Sequence, residues 1–310
     1  MITSLCLSAY RRILKAQDVW HGCRFLPYGV VTGTLAAILR LPIDTRVRNR
    51  RQIARLLQLA SEAGVRVSDD DIRRYLQMNM LTKFRYCWLA RCSDKAFSHW
   101  VHSTGIETID ALQRQGRPVL LLTAHLGPGH AISLALQRRG HTVHTVTTED
   151  VFRTECGCGT DTMSRIHAIE VGKDSSPMMI KTTNAVRRLL RDGAIVHAAL
   201  DGFHGQGGQD TSYLGRQRQL RMALPYAAAM ANAAVVLVAA SVAGDGTVRI
   251  VFHQPLADRE PGQEMACRAR FIASRYIEFS EDKWRQDPGN IPAHMVREML
   301  AFPPATSRNE

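Results

Sequence analysis

Three stretches of the chain are almost wholly apolar: "RPVLLLTAH" at 117–125, "AIVHAAL" at 194–200 and "AVVLVAASV" at 234–242. A strand that shows one face to water alternates apolar and polar residues. A strand without that alternation must be covered on both faces. Helical patterns fall between these runs: a helix ending near Gly140, "MMIKTTNAVRRLLRDG" at 178–193, and "RMALPYAAAMANA" at 221–233. Further strands are expected at "HTVHTVTT", "IHAIEV" and "TVRIVF", and a C-terminal helix is expected through Trp284. Buried strands alternating with helices specify an α/β fold, with a central, mostly parallel sheet flanked by helices. Ligands of such sheets sit beyond the strands' carboxyl ends. His125 stands at one such end and Asp201 at another.

Residues 1–100 follow a different pattern and are expected to form a helical region packed on a core of residues 101–310. "RNRRQIARLLQLASEAG" reads as a helix stopped at Gly64. "SDDD" at 68–71 is a Ser-x-x-Asp capping box. Behind it Ile72, Leu76, Met80, Phe84 and Trp88 step by four, which predicts one helix with a single apolar stripe. The stretch 28–42, "YGVVTGTLAAILRLP", is too short to span a bilayer and carries Arg40. Packing into the body and lying on a membrane face both remain open for it.

The net charge of +12 attracts anionic partners: phospholipid headgroups or an acidic carrier protein. The surplus is expected around the mouth of the site, at Arg153, Arg165, Lys173, Arg218 and Arg221. Nucleic acid fits poorly, because aromatic residues are 6% and neither zinc-finger spacing nor an RNA-binding aromatic motif is present. Seven cysteines with no framework spacing and no signal peptide read as reduced thiols in a cytoplasm.

Chemistry concentrates in two loops. "TAHLGPGH" places His125 after a buried strand and before Gly127, Pro128 and Gly129, where glycine lets a backbone approach a ligand. The helix that follows offers N–H groups to an oxyanion or phosphate. His130 reads equally as a second catalytic or orienting group and as a packed first-turn residue. Asp201 opens the Gly-rich loop "DGFHGQGGQD", where a carboxylate orients an imidazole, binds an amine or caps a turn. His204 lies in the same loop. Arg216, Arg218 and Arg221 cluster just after it and read as a solvated face or a phosphate contact. "ECGCG" at 155–159 is a lone Cys-x-Cys, too sparse for a zinc site.

The order of these blocks resembles the lysophospholipid acyltransferase superfamily, and within it the branch of lipid A late acyltransferases (the lauroyl and myristoyl transferases). Thr123, His125 and Gly127 match that family's strand-end motif. Asp201, Gly208, Tyr213 and Gly215 occupy the places of its later block, and the likeness spans roughly residues 45–285. The resemblance implies transfer of a fatty acyl group from an acyl carrier protein or coenzyme A thioester to a hydroxyl or amine, without a cofactor or metal. His125 would be the general base and the N–H groups near Gly127 and Gly129 would hold the oxyanion. Tyr213, Gly215, Arg165, Arg218 and Arg221 would line the substrate. The location implied is the cytoplasm, with a peripheral position on an anionic inner membrane face open. The chain departs from the family at His130, which stands where the family has the acid that orients the base. The expectation is therefore that His130 orients His125, or that Asp201 displaces it. A non-catalytic binding protein on the same fold is one alternative. A metal-dependent hydrolase built on His125, His130, Asp201 and His204 is another. The sequence leaves acceptor, acyl length and oligomeric state open.

Overall fold

A computed structural model describes residues 25–40, 49–147, 165–170, 176–201, 208–258, 260 and 262–303. Arg153, the "ECGCG" segment, Lys173 and His204 lie outside the described residues.

Among the described residues five helices precede the first strand: α1 (Tyr28–Arg40), α2 (Arg50–Glu62), α3 (Asp69–Met80), α4 (Thr82–Arg91) and α5 (Asp94–Trp100). Then come β1 (Val101–Thr104), α6 (Glu107–Arg114), β2 (Val119–Leu122), α7 (His130–Arg138), β3 (Val143–Thr147), β4 (Ile166–Glu170), α8 (Ser176–Arg191) and β5 (Ile195–Ala198). The chain continues through the hairpin β6 (Gln209–Tyr213) and β7 (Arg216–Leu220), then α9 (Ala223–Ala231), β8 (Ala234–Val242), β9 (Val248–Phe252), α10 (Met265–Gln286) and α11 (Ala293–Met299).

Seven strands form one sheet in the order β1-β9-β8-β2-β5-β3-β4. From β8 to β4 every neighbouring pair is parallel; β9 runs antiparallel to β8, and β1 parallel to β9. The protein is thus an α/β fold with a mostly parallel central sheet flanked by helices. Strand alternation divides the interior into two cores. Leu120, Leu122, Val196 and Leu237 face one, together with Tyr28, Leu35, Leu56 and Tyr75 from the N-terminal helices. Val119, Leu121, Ile195 and Val236 face the other, with Leu89 and Phe97. Each fully buried Leu or Val contributes roughly 1.5–3 kcal/mol relative to an exposed one, so the sheet is covered on both sides.

The local signals at the helix ends hold. Gly64 takes φ +67° after α2. Ser68 and Asp71 form the reciprocal capping box, with the Asp71 main-chain N–H donating to Ser68 Oγ and the Ser68 main-chain N–H to Asp71 Oδ2. The single helix expected through Trp88 is instead two helices, broken at Leu81, whose φ of −100° and ψ of 6° depart from helical values. The apolar stripe survives the break because Ile72, Leu76 and Phe84 are buried and Met80 and Trp88 pack beside them in one core. In α1, Tyr28, Val31, Leu35 and Leu39 are buried while Val30 is 55% exposed, so one face packs into the body. Among the described residues no helix is long and apolar enough to cross a membrane. Cys87, Cys92 and Cys267 are free thiols.

Candidate active site

Strand register brings His125 and Asp201 together. Leu122 closes β2 opposite Ala198, which closes the adjacent parallel strand β5. Three residues on from each stand His125 and Asp201. The Thr123 N–H still donates to the Ala198 carbonyl at 3.0 Å, so the two chains leave the sheet side by side.

The Asp201 carboxylate is 1% exposed and carries four donors. His125 Nδ1 lies 2.7 Å from Oδ1, and the His125 main-chain N–H donates to Oδ2 at 2.8 Å. The Tyr276 hydroxyl donates to Oδ1 at 2.9 Å and reaches the Thr123 carbonyl at 3.1 Å. The Tyr213 hydroxyl stands 3.4 Å from Oδ2. Burial alone would raise this carboxyl group's pKa. The His125 charge and these hydrogen bonds outweigh it and hold the value at about 2. On His125, desolvation disfavours the imidazolium, but Asp201 more than offsets it and leaves the pKa above the ordinary value. The His125 side chain remains 41% exposed. Its hydrogen bonds with described residues run through Nδ1 and the main chain, which leaves Nε2 for a ligand.

His130 does not take the orienting place. It opens α7, with its ring edge against Tyr86 at 5.0 Å between centroids. Burial, and secondarily His125, lower its pKa to about 4, so it is neutral at physiological pH.

The glycine expectations need correction. The Gly127 N–H donates to the Asn290 carbonyl at 2.5 Å, and the Gly129 N–H donates to the Gly127 carbonyl at 3.1 Å. Neither is left for an oxyanion. Gly127 has φ +65°, and a Cβ there would meet the Ala240 carbonyl oxygen at 2.0 Å, so its role is close packing on β8. Gly215 is also structural. Leu214 and Gly215 have φ of 51° and 73° and form the two-residue turn of the β6–β7 hairpin. A Cβ on Gly215 would meet Ala63 Cα at 3.3 Å. Tyr213 is fully buried and touches Asp201, so it holds the carboxylate and cannot line a substrate.

The arginines divide. Arg218 is buried on β7, donates to the Asp201 main-chain carbonyl at 3.1 Å and lies over the Tyr213 ring. Arg221 is half-buried, with its pKa lowered by desolvation and then by Arg218. Arg216 is buried in an ion pair with Glu62. These three are therefore not a solvated face. Arg165 lies at the other edge of the sheet. It precedes β4, its carbonyl accepts from Val143 N–H at the start of β3, and its guanidinium bonds the Gly140 carbonyl. A substrate on His125 is out of its reach, because β3 and β4 run parallel to β2 and Arg165 stands at their amino ends.

Two further histidines were not anticipated. His197 on β5 bonds Ser133 Oγ through Nδ1 at 2.9 Å, and burial, then His130 and His125, lower its pKa to about 3. His294 on α11 faces His125 edge-on, 6.5 Å between ring centroids. Among the described residues no group of three or more His, Cys, Asp or Glu is arranged to hold a metal ion. An open cavity of about 520 Å³ lies beside the hairpin, between Gly208, Gln209, Met222, Ala223, Tyr226 and Arg270. Neither His125 nor Asp201 lines it.

A scan of protein-family models and a search of curated proteins both find no match to the chain.

Proposed function

We propose that the protein is an acyltransferase that moves a fatty acyl group from an acyl carrier protein or coenzyme A thioester to a hydroxyl or amine. The observation that carries this reading is the His125–Asp201 pair at the carboxyl edge of the sheet. A buried, ionised carboxylate fixes Nδ1 as the protonated nitrogen, so Nε2 is the basic one. An imidazole whose basicity is raised by a neighbouring carboxylate suits proton abstraction.

In the proposed reaction Nε2 takes the proton of the acceptor O–H or N–H. The acceptor atom then attacks the thioester carbonyl and a tetrahedral oxyanion forms. As it collapses the C–S bond breaks, and His125 passes the proton it took to the departing sulfur, which regenerates the base. Products are the acyl ester or amide and the free thiol. Asp201 stabilises the transient imidazolium and stays ionised. The thioester donor class comes from the family resemblance, and so does a cytoplasmic or inner-membrane peripheral location. Arg218 adds buried positive charge beside the pair, and the half-buried Arg221 next to it is the arginine open to an anionic donor.

The test is incubation of the protein with acyl–acyl carrier protein and acyl–coenzyme A thioesters of several chain lengths plus a cell extract, followed by mass spectrometry. New acylated products that depend on His125 support the reading. Donors that remain intact refute it.

A further inference from the structure

The glycine N–H groups that the sequence offers for an oxyanion are engaged. Gly127 and Gly129 donate within the protein, and the His125 main-chain N–H is held by Asp201. Arg218 is buried and bonded to the Asp201 carbonyl. The proposed chemistry still places a negative oxygen next to His125, and a side chain that faces His125 from another element can donate to it.

His294 is on that element. The segment leading to it is fixed at several points. The Asn290 side chain accepts from Val242 N–H at 2.8 Å and donates to the Val242 carbonyl at 3.3 Å. The Asn290 carbonyl receives the Gly127 N–H, so the loop carrying His125 and the turn carrying His294 are tied together. The Ala293 N–H donates to Asn79 Oδ1 at 2.7 Å. Gly289 sits so close to α3 that a Cβ would meet the Asp71 carbonyl oxygen at 2.5 Å. With its backbone held on two sides, His294 stands across from His125 with the rings at 83°. A separation of 6.5 Å is too long for the rings to bond each other. It leaves room for one small group between the two rings.

We propose that His294 is a second catalytic imidazole, whose ring N–H donates to the thioester carbonyl oxygen while His125 takes the acceptor's proton. This rests on the acyl-transfer reading. His294 keeps its proton throughout: the hydrogen bond strengthens as the carbonyl oxygen gains charge and relaxes when the C–S bond breaks. Desolvation, then His125 and Arg297, hold its pKa below the ordinary value, so it is a neutral donor near pH 7. The sequence gives no sign of this residue, which lies in "GNIPAHMV", outside every motif.

The experiment follows free-thiol release from decanoyl–coenzyme A and decanoyl–acyl carrier protein, with acceptor supplied by a cell extract, by the full chain and by His294→Ala, His294→Asn and His125→Ala, with melting curves for each. His294→Ala is expected to lower kcat on the order of 10²-fold, the loss typical of one oxyanion donor. KM for the thioester should change little. His294→Asn keeps an N–H donor and should recover part of kcat. If His294→Ala releases thiol at the wild-type rate while His125→Ala does not, the role of His294 is refuted and the base survives. If the wild type and His125→Ala behave alike, the acyl-transfer reading fails, and the role of His294 with it.

Discussion

Replacing Asp201 by Asn is informative because the geometry dictates how the amide must face. Oδ2 accepts the His125 main-chain N–H at 2.8 Å, and that donor cannot rotate away. The Asn carbonyl must therefore occupy the Oδ2 position, since an NH₂ group there would face another donor. The NH₂ group then lies opposite Nδ1, 2.7 Å away in the wild type, and donates to it. The ring proton moves to Nε2, the nitrogen that has to accept the substrate's proton. Locking an imidazole base in the wrong tautomer costs about 10⁴ in kcat where such a substitution leaves the geometry intact. Stability falls as well. Holding the Asp201 pKa at about 2 instead of 3.8 corresponds to about 2–3 kcal/mol in favour of the ionised pair. The assay is thioester turnover together with ¹⁵N NMR of the His125 ring. A variant with turnover within an order of magnitude of wild type, and its proton still on Nδ1, would refute the reasoning.

The same pair sets a pH window for stability. Asp201 titrates lower in the folded state than in the unfolded state, so its contribution is complete above about pH 4 and lost as pH falls towards 2. His125 is shifted upwards, so its contribution is complete below about pH 6.5 and lost as pH rises through the folded value. Melting temperature should peak between those limits, and in Asp201→Asn the peak should flatten. Tyr276→Phe removes one donor from Asp201 and leaves the Thr123 carbonyl without this hydroxyl, so chemical denaturation should show a loss of about 1–3 kcal/mol. Gly127→Ala forces a Cβ onto the Ala240 carbonyl at a positive φ and should cost about 3 kcal/mol or more, read as a melting point lower by several degrees. His130→Ala should change turnover far less than Asp201→Asn, because Asp201 rather than His130 holds Nδ1.

What the sequence makes legible is what hydrophobic pattern alone controls. β2, β5 and β8 are continuous apolar runs because helices cover both faces, and that is how they read. β1 escaped because "VHST" alternates over only four residues. The β6–β7 hairpin escaped because its inward positions include Arg216 and Arg218, whose charges are met by Glu62 and by main-chain carbonyls far away in sequence. A run of arginines carries no mark that distinguishes such burial from a solvated face. The break at Leu81 has no Gly or Pro to announce it. Within the site, the strand-end positions of His125 and Asp201 were readable one at a time. Their pairing depended on β2 and β5 being neighbours in register, which the local pattern does not encode. His294 was invisible for the same reason. Its place is fixed by Asn79, Val242 and Gly127, each remote in the chain.

The central claim is that Nε2 of His125 is the base for attack on an acyl thioester. Its most direct test is thiol release from an acyl–acyl carrier protein thioester, with acceptor supplied by a cell extract, by the wild type and by His125→Ala. The melting temperatures of the two proteins should be compared at the pH of the assay. The account expects His125→Ala to stay folded and to lose on the order of 10²–10⁴ in rate, the span typical of a lost general base. Thiol release by folded His125→Ala at the wild-type rate would contradict it.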